Sequence, residues 1–446
     1  MAILRQKRFH PARVLALSFL AAIVSGSVIL ILPVCTVSGK ISFLDALFTA
    51  TSAVCVTGLV VVDTATYFTR FGQIVILVLF QLGGLGIMTF STLILLAAGR
   101  RISIHDRILV QESFMPSAPR DFRTVIRNIF LMTALIELAG TALLFLRFFP
   151  RFGASEALFI SVFHAVSAFC NAGFSTFSHS LQSFTGDLLI NLTIIFLIIL
   201  GGLGFLVIQE CFYFLMLFRK KKFHFSLHSK IVLTVTLSLI ISAFLLLLFL
   251  EWTHGFNQLN LKEKILASLF QAVTPRTAGF NTIDLHHLQL ASIFLLIGLM
   301  FVGASPGSTG GGIKTATIGV IAAFIRSKLM ARDRVNLFYR TLPEDCLMRS
   351  FTLFFLALVW IALASFLLFL AQPGAMMREV FFEVFSAFGT VGLSLGLTPE
   401  LTPWGKLIII FTMYLGRIGP LTVLAIFSRT RPVGQFEYVE EAVMIG

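Results

Sequence analysis

Long apolar runs recur along this chain: Val14–Leu32, Phe71–Ala98, Ile129–Phe149, Leu188–Phe218, Ile231–Trp252, Leu290–Ile325, Phe351–Ala371 and Leu407–Phe427. Each supplies the ~20 mostly apolar residues that a membrane-crossing helix needs, so the pattern predicts eight spans. Between the two members of each successive pair lies a shorter apolar stretch of about 11 to 14 residues, helical in pattern but too short to cross. The four are FLDALFTATSAVCVTGL (Phe43–Leu59), EALFISVFHAVSAFCNAGF (Glu156–Phe174), KEKILASLFQAVTPRTAGF (Lys262–Phe280) and REVFFEVFSAFGTVGL (Arg378–Leu393). Each closes on a small-residue turn with a glycine followed by Leu or Phe, at Gly58, Gly173, Gly279 and Gly392.

These turns return at intervals of roughly 110 residues, the mark of an internal repeat. A second marker returns with them inside each following span: QLGGLGIM (Gln81–Met88), ILGGLGFL (Ile199–Leu206), FVGASPGSTGGG (Phe301–Gly312) and YLGRIGPL (Tyr414–Leu421). The chain therefore divides into four span–hairpin–span units, over residues 1–100, 101–222, 223–330 and 331–446. The expected fold is an all-α integral membrane protein with four re-entrant hairpins.

Composition agrees: 57% of the 446 residues are apolar and 12% charged, far from the roughly 25% charged of soluble domains. No polar connection is long enough for a soluble catalytic domain. The basic N-terminus followed by an apolar run is read as a first span and not as a cleaved leader. The net charge of +13 does not point to nucleic acid, because most of the lysines and arginines cluster in alternate connections. These are Arg5–Arg13, Arg100–Arg127, Arg219–Lys230, Arg326–Arg349 and Arg429–Arg431. By the positive-inside rule those segments and both termini are cytoplasmic, and all four hairpins lie on the outer side. Five scattered cysteines form neither a disulfide framework nor a metal site.

Non-helical backbone at membrane depth survives only where it is buried in protein or lines water. Four such turns must therefore converge, and a ring of their carbonyls can replace the hydration shell of a cation. Glycine enters φ > 0 without steric cost and leaves the axis clear.

Four units carrying TGL, AGF, AGF and VGL glycines resemble the Trk/Ktr/HKT superfamily of K⁺ transporters, and the length is most like the bacterial Ktr-type membrane subunit. The resemblance implies one pseudo-fourfold pore. Its selectivity filter comprises Val56, Thr57 and Gly58, Asn171, Ala172 and Gly173, Thr277, Ala278 and Gly279, and Thr390, Val391 and Gly392. It also implies K⁺ uptake at a bacterial plasma membrane, a homodimer in the lipid bilayer, and a cytosolic nucleotide-binding regulatory ring. Na⁺ coupling is left open, and no covalent cofactor is implied. Glycine at position 58, where serine is associated with Na⁺-permeable relatives, argues for potassium. The basic connections Arg100–Arg127 and Arg326–Arg349 are candidate docking surfaces for the ring, or simply topology.

The third repeat breaks its second span with GASPGSTGGGIKT (Gly303–Thr315), which cannot be one helix. The resemblance makes this stretch an intramembrane gate beneath the filter, with Gly303, Ser305, Gly307, Ser308, Thr309, Gly310, Gly311, Gly312 and Lys314; unaided, the residues fit a packing break equally well. Two cations, Lys314 and Arg417, stand inside apolar spans and need partners or water. Snorkelling to the interface is expected of Lys314. Arg417 is expected either to oppose cation passage or to hold the loop through its carbonyls, and Glu210 to be structural.

Three alternatives compete. Gly303-Ala304-Ser305-Pro306-Gly307 matches GxSxG, but without the strand–turn–helix setting or a partnering histidine of a serine hydrolase; His164, in a hairpin, is expected to pack. The same stretch fails as a phosphate loop because Ile313 separates Gly312 from Lys314. A cation secondary transporter with broken helices would place equivalent hairpins on opposite sides.

Overall fold

The structure is a computed structural model and describes residues 11–86, 122–217 and 225–420. The first repeat comprises α1 (Pro11–Leu30), α2 (Phe43–Val54) and α3 (Arg70–Leu85). The second comprises α4 (Phe122–Phe152), α5 (Ala154–Cys170), α6 (Leu188–Leu203) and α7 (Phe205–Leu217). In the third are α8 (Leu227–Glu251), α9 (Leu261–Val273), α10 (Leu290–Phe301) and α11 (Thr315–Leu329). A two-stranded hairpin, β1 (Asn336–Leu337) with β2 (Arg340–Thr341), leads into α12 (Glu344–Ala371), α13 (Met377–Gly389) and α14 (Pro403–Ile418).

Side-chain caps fix where several of these helices begin. Ser42, Thr69, Asp187, Ser226 and Thr402 each accept from a backbone N–H of the first turn, and Asn260 with Glu263 forms a reciprocal capping box at α9. Apart from Ser226, which starts the first span of the third repeat, these caps place the helix starts at the hairpin side, where the chain turns back into the protein.

Second spans are not continuous helices. Besides the break expected in the third repeat, α3 ends at Gly86 (φ 80°), α6 at Gly204 (φ 90°) and α14 at Gly419 (φ 91°). Left-handed glycine ends a helix by turning its last carbonyls to other donors. In the second repeat α6 and α7 meet at a 110° bend. Consequently, among the described residues only Arg127–Phe152, Leu227–Glu251 and Glu344–Ala371 are singly long and apolar enough to cross a membrane, with the bent pair as a fourth. The eight apolar runs are therefore not eight unbroken helices. The rest of Phe71–Ala98 and Leu407–Phe427, the basic segment Arg100–Arg120, Arg219–Lys222 and both termini lie outside the described residues.

The second helix of each repeat packs against the short hairpin helix of the next: α3 on α5, α6 on α9, α10 on α13, and α14 back on α2. Within each of repeats 1, 2 and 4, a small residue also lets the second helix approach its own hairpin helix closely. A methyl group at Gly83, Gly201 or Gly416 would collide with the carbonyl of Val54, Phe169 or Phe388, the end of that repeat's own hairpin helix. The outer helices expose large apolar side chains, including Leu135, Leu138 and Leu146 of α4, Phe249 of α8 and Phe366 of α12. In water such a belt would aggregate; against lipid tails it is solvated.

Candidate functional site

Each hairpin helix ends in the same backbone figure. Val56, Asn171, Thr277 and Thr390 have φ of 58°, 60°, 70° and 50°, and the glycines two residues later have φ of 89°, 70°, 76° and 92°. Left-handed φ costs a β-branched residue about 1–2 kcal/mol, yet Val and Thr adopt it at three of the four positions. Alternating the sign of φ turns successive carbonyls toward one side of the strand. The amides of Thr57, Ala172, Ala278 and Val391 donate back to the carbonyls of Ser52, Ser167, Thr274 and Ser386, at 2.7, 2.8, 2.9 and 2.8 Å. With the N–H groups satisfied behind, the carbonyls face the other way.

The four turns close into a ring. A methyl group on Gly58 would stand 2.5 Å from the carbonyl oxygen of Ala172, one on Gly173 2.8 Å from that of Ala278, and one on Gly279 2.5 Å from that of Val391. On Gly392 it would collide with the carbonyl of Thr57, which returns the circuit to the first repeat. The order around the axis is therefore 1–2–3–4, and repeats 2 and 4 are opposite. No side chain fits between these turns.

On one side of the ring opens a vestibule of about 500 Å³, floored by the four glycines and bordered by Asp63, Asp284, His179 and His286. On the other side lies the broken segment of the third repeat. Gly310 packs on Thr277 and Gly311 on Thr390, and the Gly311 amide donates to Thr390 Oγ1 at 3.0 Å. Ser305 N donates to Gly202 O at 3.0 Å, Thr309 N to Gly201 O at 3.2 Å, and Gly312 N to Gly416 O at 3.3 Å. Gly307 O accepts from Phe205 N at 3.1 Å, Ser308 Oγ donates to Ser305 O at 2.6 Å, and Gly303 packs backbone to backbone on Gly311 and Gly312.

Two cations hold the loop. The Arg417 guanidinium donates to the carbonyls of Thr309 and Gly83, bridging the third, fourth and first repeats. Lys314 does not snorkel: its Nζ turns inward to Gly310 O at 2.7 Å and Gly311 O at 3.4 Å. The reason is local, since a loop interrupting a span leaves carbonyls unsatisfied at membrane depth, and an ammonium is a partner for them.

Other residues singled out in the sequence fall into place around this core. Glu210 accepts from Ser226 N at 3.0 Å, joining α7 to the start of α8. Ser305 is buried with Thr315 as its hydroxyl partner at 3.0 Å, while His164 is bonded to Ile160 and Ser175, so the two do not form a Ser–His pair. Cys55 and Cys170 are free, buried thiols, the latter donating to Gln81 Oε1 at 2.9 Å. The left-handed residues before the glycines were missed in the sequence; only Asn171 carried a signal, since asparagine tolerates this conformation better than other non-glycine residues.

Comparison with known proteins gives the family. The family described as "TrkH: Cation transport protein" matches residues 13–438. The chain belongs to this family. It is 42% identical to the Ktr system potassium uptake protein B of Bacillus subtilis over 96% of this chain and 95% of that one. It is 37% identical to the potassium/sodium uptake protein NtpJ of Enterococcus hirae, over 99% of this chain and 98% of that one. The crystal structure of the potassium transporter TrkH from Vibrio parahaemolyticus shares its fold, with a TM-score of 0.74 at 20% identity over 96% of this chain and 87% of the other. Membership in the TrkH family makes the chain a multi-pass membrane protein of cation transport.

Proposed function

We propose that this chain takes up K⁺ across a bacterial plasma membrane, with both termini in the cytoplasm. In this reading its four repeats, over residues 1–100, 101–222, 223–330 and 331–446, surround one pore. K⁺ loses water from the vestibule to the carbonyls of the turns at Gly58, Gly173, Gly279 and Gly392, then passes inward when the Gly303–Gly312 loop moves aside. The observation that carries the reading is the closed ring, in which each glycine abuts the next repeat's carbonyl. A glycine at all four positions leaves only backbone oxygens to meet the ion, the arrangement that replaces a K⁺ hydration shell.

The loop is the gate in this reading, because it packs directly against Thr277 and Thr390 on the side away from the vestibule. Arg417 and Lys314 are its anchors. Assembly as a homodimer and control by a cytosolic nucleotide-binding subunit complete the proposal; the name "Ktr system" on three relatives supports such a partner. The relative named for both potassium and sodium makes Na⁺ dependence a question for the same experiment.

The test is growth and ion uptake in a bacterial strain without its own K⁺ systems, comparing the wild-type chain with Gly58→Ser, with the regulatory subunit present. Growth restored on low K⁺, and weakened or shifted toward Na⁺ by Gly58→Ser, is the expected result. Absence of K⁺ flux from a correctly inserted chain would turn the reading toward a secondary transporter.

A further inference from the structure

Nine residues before the filter glycine, repeats 2 and 4 carry buried polar side chains, His164 and Glu383. Two residues after the glycine both repeats carry serine, Ser175 and Ser394. The structure joins them in the same way twice. His164 Nε2 lies 2.9 Å from Ser175 Oγ, and Glu383 Oε2 lies 2.7 Å from Ser394 Oγ. Each serine also accepts from the amide two residues onward, Phe177 N at 3.0 Å and Gly396 N at 3.1 Å.

The direction of both bonds is the same. His164 Nδ1 is 2.9 Å from the carbonyl of Ile160, which can only accept, so the proton sits on Nδ1 and Nε2 accepts from Ser175 in the neutral ring. The imidazole is locked there by stacking on Phe177, with centroids 5.0 Å apart. Glu383 accepts from Ser394 and, through its other oxygen, from Thr398. Both acceptors are shut away from solvent, at 1% and 0% exposure, while Ser175, Ser394 and Thr398 border the vestibule. Burying two polar acceptors in apolar surroundings is costly unless they are bonded, and what they bond is the outer lip of the ring.

Repeats 1 and 3 lack the device. Thr49, at the equivalent position, donates to Asp45 O in its own helix at 2.8 Å, and Val60 stands in the register of the serines; the third repeat has Phe270 and Asn281 there. Since repeats 2 and 4 are opposite, two facing segments of the lip are held by this deep acceptor–serine bond, whereas the other two are tied nearer the turn, the first by Gly58 N donating to Ser52 Oγ at 3.0 Å and the third by Thr274 Oγ1 donating to Phe280 O at 2.7 Å.

We propose that His164 and Glu383 are positioning residues for ion selection: buried acceptors that hold Ser175 and Ser394, and through them the strands that follow Gly173 and Gly392, at the distance across the axis that favours K⁺ over Na⁺. The inference rests on the reading of the ring as the filter. It is of a twofold strut and not of four equivalent turns.

The experiment measures initial K⁺ and Na⁺ uptake in a strain without K⁺ systems for Glu383→Gln, Glu383→Ala, Ser394→Ala, His164→Leu, Thr49→Val and Gly58→Ser. Elution of each purified variant as a single species in detergent checks folding. Glu383→Ala should lower the K⁺/Na⁺ uptake ratio by about tenfold, the factor one hydrogen bond to a charged group represents, and raise the KM for K⁺. Ser394→Ala and His164→Leu should lower the ratio by less. Glu383→Gln, whose carboxamide oxygen still accepts from one hydroxyl, should fall between wild type and alanine, and Thr49→Val should match wild type. If Glu383→Gln and Ser394→Ala fold and keep the wild-type ratio and KM while Gly58→Ser changes them, the strut is overturned and the filter reading stands. If Gly58→Ser changes nothing either, both readings fall together.

Discussion

Arg417 of the fourth repeat donates to the Thr309 carbonyl in the third repeat's loop, and a second nitrogen of the same guanidinium donates to Gly83 of the first. A planar fork with several donors suits such bridging; the single ammonium of lysine does not. The position of the loop therefore depends on a charge carried by another repeat.

Loosening that hold should raise flux. Arg417→Gln and Lys314→Met are each expected to increase the initial K⁺ uptake rate several-fold, since a hydrogen bond from a charged donor contributes about 1.5–3 kcal/mol. The two anchors grip adjacent carbonyls, Thr309 and Gly310, so the double variant should gain less than the product of the single gains. Uptake into cells at matched expression checks both; rates at or below wild type in folded protein would remove the gate assignment.

Gly58→Ala tests the ring itself. The substitution forces an L-residue to φ 89° and brings its methyl 2.5 Å from the Ala172 carbonyl oxygen. A left-handed non-glycine costs about 1–2 kcal/mol before the clash is counted. The expected outcome is a K⁺/Na⁺ uptake ratio about tenfold lower, equivalent to about 1.4 kcal/mol of lost discrimination, with membrane insertion unchanged by fractionation.

Gly83→Ala should act on stability before selectivity. Its methyl would collide with the Val54 carbonyl and stand 3.0 Å from Val56 Cγ2, pressing α3 away from the end of α2. Overpacking of this kind costs about 1–3 kcal/mol. A lower midpoint in a detergent thermal-aggregation assay is the expected reading, and an unchanged midpoint would show that the helices separate freely.

Lys406 and Asp45 join the last repeat to the first, Nζ to Oδ1 at 2.6 Å, with 17% and 20% of the side chains exposed. At this burial the pair is screened less than a surface bridge, and removing one partner leaves the other poorly solvated. Asp45→Asn should lower stability by about 1–2 kcal/mol, and adding Lys406→Met should recover part of it. A double-mutant cycle in thermal denaturation reads the coupling; a value of zero would mean that the ring closes through packing alone.

The apolar runs, the four hairpins and their glycines were legible because hydropathy and repetition are local properties. The breaks at Gly86, Gly204 and Gly419 were half legible. Their GLG, GLG and RIG motifs stood out as a repeating mark, but a glycine inside an apolar run also fits a close helix contact. Lys314 does not snorkel as expected, because a long side chain inside a span can reach either water or a carbonyl, and which it does depends on the loop folded beside it.

By itself, the sequence determined that this chain lies in a membrane and that four similar hairpin segments recur along it, each ending in a glycine turn flanked by small residues. Only the tertiary structure decided that Gly392 meets the first repeat at Thr57, that Val56, Thr277 and Thr390 adopt a conformation their side chains resist, and that Arg417 reaches Thr309 and Gly83. The physical reason is range. Hydropathy and turn chemistry act over a few neighbouring residues, whereas these contacts join atoms up to several hundred residues apart, whose meeting is settled by how four copies of one unit pack around a common axis.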